Sequence, residues 1–140
     1  MVRKLKKADI EVVQKLYNEE FGGSNNEIEK LFYDNNYEIF VVTSLKQVVG
    51  FVILLMVDDL AEIIDIAVQK KFRGKGFASM LMEKVVMHAK NENKIGVHLE
   101  VRENNTSAIA LYDKFKFEKI FVRKKYYNGT EDGIVMQLKF

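Results

Sequence analysis

Residues 65–78, Asp-Ile-Ala-Val-Gln-Lys-Lys-Phe-Arg-Gly-Lys-Gly-Phe-Ala, join a β-branched strand to a long amphipathic helix. The strand is predicted over Glu62 to Val68, and the helix extends to about Asn93. The loop between them holds two glycines, Gly74 and Gly76, among the cations Lys70, Lys71, Arg73 and Lys75. Glycine lets the backbone approach a ligand closely, and a helix N-terminus offers free N–H groups and a favourable dipole to an anion. The stretch therefore predicts a phosphate site.

Two common phosphate-binding patterns do not fit this loop. A Walker A loop requires G-x-x-x-x-G-K-[ST], which is absent. A dinucleotide fingerprint requires a third glycine, whereas Ser79 stands there and the loop lies in the middle of the chain. On the loop alone, an ordinary strand–helix connection with solubilising lysines stays an open alternative.

The segments on either side predict an α/β (α+β) fold with a mixed, mostly antiparallel sheet of about six to seven strands. Helices are expected on both faces, in the order βα(α)βββαβαββ. The unit from Glu62 to Arg102 is predicted to be a right-handed parallel crossover. The predicted strands are Glu38–Thr43, Val48–Val57, Glu62–Val68, Val97–Arg102, Phe117–Val122 and Ile134–Phe140, with helices near Ala8-Asp9, near Asn26, after Gly76 and after Asn105-Thr106-Ser107.

Composition limits the function. The 140 residues predict a single domain, residues 1–140. Lys plus Arg is 22 and Asp plus Glu is 20, which is too balanced to indicate a nucleic-acid partner. Without cysteine there is no disulfide and no acyl-cysteine intermediate, and with two histidines a metal site is not expected. No targeting or membrane segment is found, so a cytoplasmic protein is expected.

The loop and the segments after it resemble one enzyme family. Arg73-Gly74-Lys75-Gly76-Phe77-Ala78 fits [RQ]-x-x-G-x-[GA], the acetyl-CoA pyrophosphate loop of the GNAT N-acetyltransferases. Further matches follow in order: Leu99-Glu100-Val101-Arg102, Asn105, Ala108-Ile109-Ala110-Leu111-Tyr112, Tyr126-Tyr127, Glu131-Asp132 and Met136. Together these are similar to the ribosomal-protein-alanine N-acetyltransferases (RimI) and their N-terminal acetyltransferase relatives. The resemblance covers Val48 to Phe140.

The resemblance implies the GNAT fold, with the parallel unit binding acetyl-CoA, and direct transfer of the acetyl group to a protein or peptide N-terminus. It implies no metal, nucleic acid or membrane, and a monomer or homodimer. The pantetheine arm would lie along Ile66, Ala67 and Val68, with the Val68 N–H polarising the thioester carbonyl. Residues Arg73 to Ala78 (Arg73, Gly74, Lys75, Gly76, Phe77 and Ala78) would hold the pyrophosphate, and Asn105 would contact the cofactor.

Two residues occupy the catalytic positions of the resembled family. Glu100, on the strand face opposite Val97 and Leu99, would be the general base. The local sequence around Glu100, taken alone, is also typical of a surface carboxylate paired with Arg102 or a lysine. Tyr112 would protonate the coenzyme A thiolate, although its place on an apolar helix stripe is also typical of core packing.

The substrate side of the site is implied by a later segment. Tyr126 and Tyr127, predicted in the loop before the last strand, would bind the N-terminal backbone of the substrate, with Glu131 attracting its ammonium. A hydrophobic latch is the alternative for the two tyrosines. The chain departs from the family at Lys116, where glycine is usual, and in residues 19–27, which lack a proline-containing loop. Acetylation of a small amine or lysine and a non-catalytic acyl-CoA-binding module are therefore kept as competing functions.

Overall fold

Seven strands form one sheet in the computed structural model, which describes residues 1–23, 25–127 and 129–140. Their spatial order is β1-β2-β3-β4-β5-β7-β6, and every neighbouring pair is antiparallel except β4 and β5. The strands are β1 (Val2–Lys4), β2 (Tyr37–Ser44), β3 (Gln47–Leu55), β4 (Leu60–Val68), β5 (Gly96–Arg102), β6 (Glu118–Tyr127) and β7 (Glu131–Lys139). The helices are α1 (Ile10–Phe21), α2 (Glu27–Phe32), α3 (Phe77–Asn91) and α4 (Thr106–Lys114), with short 3-10 turns at Lys7–Asp9 and Lys70–Phe72.

The sheet is covered on both faces, and each face has its own core. On one face α3 packs against β2 to β5, and its buried side chains are those predicted from its spacing, Leu81, Met82, Val85 and Ala89 among them. On the other face α1 and α2 pack against β2, β3 and the end of β4. The mixed sheet and the parallel crossover confirm the predicted fold class.

Strands β4 and β5 are paired over less than half of the length of β4. Their ladder joins Leu60–Ile63 to Gly96–Leu99 and goes no further. Immediately beyond it β4 carries an extra residue, Ile64, because Leu54 of β3 pairs with Ile63 whereas Ile53 pairs with Asp65. The β5-facing edge of β4 from Ile64 to Val68 therefore has no strand partner in the described chain. This opening between β4 and β5 is called the crevice below.

One predicted connection is wrong. Tyr126 and Tyr127 were expected in a loop, but β6 extends to Tyr127, which pairs with Glu131 of β7. The register slips between Arg123 and Tyr127, so the strand continues through a bulge that a pattern of regular alternation does not predict. Asn128, in the predicted connection, lies outside the described residues, as does Ser24 of the predicted helix breaker 22–24.

Lys116 takes a conformation usually left to glycine. It follows α4 with φ of 71°, in the left-handed region. The chain therefore makes a left-handed turn after α4 with a lysine, which carries local strain. Gly22 ends α1 in the same left-handed conformation, with φ of 69°.

Candidate active site

A cleft of about 460 Å³ lies between the end of β4, the glycine loop, the start of α3 and one side of α4. Nine of the ten residues predicted to bind the cofactor line it, and Lys75 is the exception. The nine are Ile66, Ala67, Val68, Arg73, Gly74, Gly76, Phe77, Ala78 and Asn105. The structure thus brings together two segments, residues 66–78 and Asn105, that are 27 positions apart at their nearest ends, and their roles stay predictions.

The glycine loop has the geometry of an anion cradle. Gly74 and Gly76 have φ of 76° and 88°, which side chains rarely adopt, and a Cβ at either would meet only open space. Gly76 precedes α3 and gives no side-chain cap to its first turn. The first N–H groups of α3 are therefore available to a ligand on the side where the helix dipole is positive.

Arg73 fastens this loop to α1. Its Nε donates to the Val68 carbonyl at 3.0 Å, and its Nη2 donates to Glu20 Oε2 at 2.6 Å. Both partners of this ion pair are substantially exposed, so the pair contributes little to stability. Arg73 is oriented towards the cleft and held there by a carboxylate that an anion could replace.

Asn105 is the N-cap of α4. Its Oδ1 accepts a hydrogen bond from the Ala108 N–H at 3.2 Å and another from the Ser107 hydroxyl at 3.3 Å. This cap places the first turn of α4 against the cleft, opposite the glycine loop.

Glu100 lies on β5 one residue beyond the end of the β4–β5 ladder. Its Oε1 forms an ion pair with Arg123 Nε of β6 at 3.1 Å, whereas Oε2 is buried with no hydrogen-bond partner among the described residues. The alternative considered from sequence, a pairing with Arg102 or a lysine, is not the one observed. Arg102 instead pairs with Glu131 at 3.3 Å and lies over the Tyr127 ring.

Gly133 of β7 lies directly beneath Glu100. A Cβ built there would overlap Oε2 of the Glu100 carboxylate. Gly133 pairs with Arg102 of β5 and with Arg123 of β6. Because Gly133 has no side chain, the Arg123 side chain can cross β7 at this position and reach Glu100. Sequence analysis missed Arg123 and Gly133 because their contact with Glu100 depends on the register of three strands.

Tyr112 is buried on α4, with its ring centroid 5.8 Å from that of Phe117. Burial raises the pKa of its hydroxyl to about 12, and the nearby Asp65 carboxylate acts in the same direction. The phenol is therefore protonated at neutral pH and able to donate a hydrogen bond or a proton.

The β6–β7 hairpin gathers the residues predicted to bind substrate. The rings of Tyr126 and Tyr127 contact each other edge to face at 5.1 Å. Burial raises the pKa of Tyr127, and the Glu100 carboxylate adds to that effect, which places Tyr127 beside Glu100. Glu131 accepts hydrogen bonds from Asn104 and Arg102. Its carboxylate is therefore engaged by the chain itself, which weakens the predicted role of attracting an ammonium.

Asp65 is a further residue of the crevice that sequence analysis missed. It is half-buried on β4, and burial raises the pKa of its carboxyl to about 6. The sequence does contain a signal for this residue, because Asp65 is a lone aspartate within the apolar run of Ile63, Ile64 and Ile66. Within the described residues there is no group of three or more metal-ligating side chains, and no helix there is long and apolar enough to span a membrane.

Comparison of the sequence with models of protein families shows which family the chain matches. The sequence model of the Acetyltransferase (GNAT) family matches residues 8–117. A relative from Salmonella typhimurium named [Ribosomal protein bS18]-alanine N-acetyltransferase is 34% identical over 116 residues, covering 79% of this chain and 78% of its own.

Two solved structures are similar over most of the chain. The ribosomal-protein-S18-alanine N-acetyltransferase from Escherichia coli has a TM-score of 0.86 and 25% identity, covering 99% of this chain and 92% of its own. An acetyltransferase from Bacillus anthracis, solved with acetyl coenzyme A, has a TM-score of 0.74 and 29% identity, covering 80% of this chain and 67% of its own.

Proposed function

This chain belongs to the GNAT family of acetyltransferases, and from that premise we propose that it acetylates the N-terminal α-amine of a protein, with acetyl-CoA as donor. The observation that supports this most is the crevice, because β4 is unpaired against β5 beyond Ile63 and Glu100, with one buried oxygen that has no partner among the described residues, is the first residue of β5 after the ladder. The relative named for alanine acetylation of a ribosomal protein supports the choice of a protein N-terminus. The reaction would take place in the cytoplasm, by a monomer or homodimer.

The cleft fits acetyl-CoA, which supplies the acetyl group as a thioester. The backbone of Arg73 to Ala78 would bind the pyrophosphate through the uncapped N–H groups at the start of α3. The unpaired edge of Ile66 to Val68 would bind the amide-bearing pantetheine arm as an added strand, with the Val68 N–H directed at the thioester carbonyl. Asn105 and the first turn of α4 would close the other side.

Glu100 would remove the proton from the incoming amine. An α-amino group has an ordinary pKa of about 7.7 to 8.0, so at neutral pH it arrives mostly as ammonium and needs only a modest base. The Oε2 of Glu100, which has no hydrogen-bond partner in the described chain, would accept that proton directly or through one water molecule. Arg123 on Oε1 would fix the orientation of the carboxylate.

Tyr112 would serve the leaving group. Its pKa of about 12 lies well above the value near 8.5 that is ordinary for a thiol. The hydroxyl would therefore act on the leaving group by donating a hydrogen bond that stabilises the developing thiolate, and the departing thiolate would take up its proton from water. Tyr126 and Tyr127 would bind the substrate backbone, since their rings contact each other and Tyr127 lies next to Gly133 together with the Glu100 carboxylate.

The test is coenzyme A release with peptides that differ at their first two residues, each with a free and a blocked N-terminus and an internal lysine. We expect turnover only with free N-termini. Turnover on blocked peptides would overturn the proposal in favour of lysine acetylation. Binding of acetyl-CoA without turnover of any peptide would also contradict it.

A further inference from the structure

Asp65 has no role in the proposed reaction and no partner that explains its position. It is a half-buried carboxylate on β4, and no hydrogen bond or ion pair engages it within residues 1–23, 25–127 and 129–140. A carboxylate removed from water without a partner is costly to the folded protein. A ligand that brings hydrogen-bond donors and positive charge would offset this cost.

The register of the sheet places Asp65 across the crevice from Glu100. The last paired residues are Ile63 on β4 and Leu99 on β5. Glu100 is the next residue on β5, and Asp65 is the next residue on β4 after the extra residue Ile64. Asp65 shares its face with Ala67, which packs with the α1 and α2 core, and Glu100 points to the same face because Leu99 is buried on the other.

Two tyrosines approach Asp65 from different helices. The carboxylate interacts electrostatically with Tyr17 of α1 and with Tyr112 of α4. The Tyr17 ring packs against the Phe51 ring of β3, with 6.3 Å between the two ring centroids. The Asp65 charge therefore acts on the tyrosine assigned to the leaving group, and Asp65 immediately precedes the residues along which the pantetheine arm would lie.

We propose that Asp65 and Glu100 form an ammonium clamp, in which Asp65 binds the substrate's α-ammonium and Glu100 then accepts its proton. The inference rests on the proposed function and adds a division of labour between the two carboxylates. Asp65 acts on affinity, since it contacts the amine in its charged form. Glu100 acts on turnover, since it takes the proton.

The charge of Asp65 fits this role at neutral pH. Burial raises the pKa of its carboxyl to about 6, so it is ionised above that pH. The titratable groups that interact electrostatically with it are Tyr17 and Tyr112, and Glu100 follows the last paired residue of the neighbouring strand. The raised pKa of both tyrosines keeps their hydroxyls neutral, so neither adds a second negative charge beside Asp65.

The experiment compares the wild type, Asp65→Asn and the matched control Glu62→Gln. Glu62 is on the same strand but pairs with His98 at 3.6 Å, within the closed part of the ladder. At pH 7.5 we expect Asp65→Asn to raise the peptide KM by about ten- to a hundredfold with kcat changed less than about threefold. Glu62→Gln should alter neither constant appreciably.

Binding without turnover gives a second readout. In the presence of coenzyme A, the wild type and Glu62→Gln should prefer a free-amine peptide to the same peptide with a hydroxyl in place of the amine. Asp65→Asn should lose this preference. An unchanged preference together with an unchanged KM in Asp65→Asn would overturn the clamp, whereas wild-type enzyme that turns over no peptide would overturn the proposed function itself.

Stability separates binding from a structural role. The folded-state pKa of Asp65 is raised, so the ionised carboxylate destabilises the native state increasingly as the pH rises from about 4 through 6. Asp65→Asn should therefore melt higher than the wild type at pH 8, and the difference should vanish near pH 4. A lower melting temperature at pH 8 would show a structural carboxylate and contradict the clamp.

Discussion

The two sides of the crevice are built in different ways. The cofactor side consists of backbone: an unpaired strand edge, two glycines in left-handed conformations and the N-terminus of α3. The amine side consists of side chains from β4, β5 and β6, with a glycine of β7 beneath them. Substitutions on the cofactor side should therefore alter the affinity for acetyl-CoA, and those on the amine side should alter turnover or peptide affinity.

The largest expected effect is on the amine side. Glu100→Gln keeps the shape of the side chain and removes the base, so kcat should fall by about 10²- to 10⁴-fold. The affinity for acetyl-CoA should stay within about threefold, because the cofactor side contains no part of Glu100. Steady-state kinetics and calorimetric titration measure the two quantities, and an unchanged kcat would exclude Glu100 as the base.

The counterpart on the cofactor side is Gly76→Asp. It places a carboxylate and a strained left-handed residue at the predicted pyrophosphate site, so the Kd for acetyl-CoA should rise by at least about tenfold. Gly22→Asp is the matched control, since Gly22 also has a left-handed φ and open space around its Cα but lies at the end of α1. Equal affinity in the two variants would show that the loop does not bind the phosphates.

A third variant moves Glu100 without touching its chemistry. Gly133→Ala introduces a methyl group where the Glu100 carboxylate lies, and kcat should fall about ten- to a hundredfold through misplacement of the base. In Gly96→Ala a Cβ would overlap the Leu138 carbonyl, elsewhere on the β5–β7 pair, so this variant controls for damage to the sheet. If both variants lose stability and only Gly133→Ala loses turnover, the positioning role stands. Equal turnover in the two would refute it.

The smallest effect on activity is expected for a substitution that lies on neither the cofactor side nor the amine side of the crevice. Lys116→Gly relieves a left-handed lysine and should stabilise the protein by about 1 kcal/mol, with kcat and KM unchanged. Thermal unfolding should show a melting temperature higher by roughly a few degrees. A lower melting temperature would mean that the lysine side chain itself contributes to the packing of α4.

The same division explains what the sequence could predict. The glycine loop and the apolar face of α3 depend on residues close together in the chain, and each was identified from its local pattern. The helix that follows Asn105 was identified in the same way. The fold class followed from the order of such segments.

The contacts between side chains of distant strands could not be obtained in this way. Arg123 reaches Glu100 because β6 slips in register against β7, and a slip cannot be derived from alternation. The extension of β6 to Tyr127 depends on the same irregularity. Asp65 was visible as a carboxylate in an apolar strand, but its position across from Glu100 follows from the extra residue Ile64, which only the paired strands reveal.

The most direct test of the two-sided account is to measure kcat for Gly76→Asp and Glu100→Gln at increasing acetyl-CoA, with one saturating peptide. We expect Gly76→Asp to approach the wild-type kcat at high acetyl-CoA, since only binding is impaired. Glu100→Gln should reach its lower maximal rate at the same acetyl-CoA concentration that saturates the wild type. A Gly76→Asp plateau as low as that of Glu100→Gln, or turnover in Glu100→Gln restored by acetyl-CoA, would contradict the separation of the site into a binding side and a chemical side.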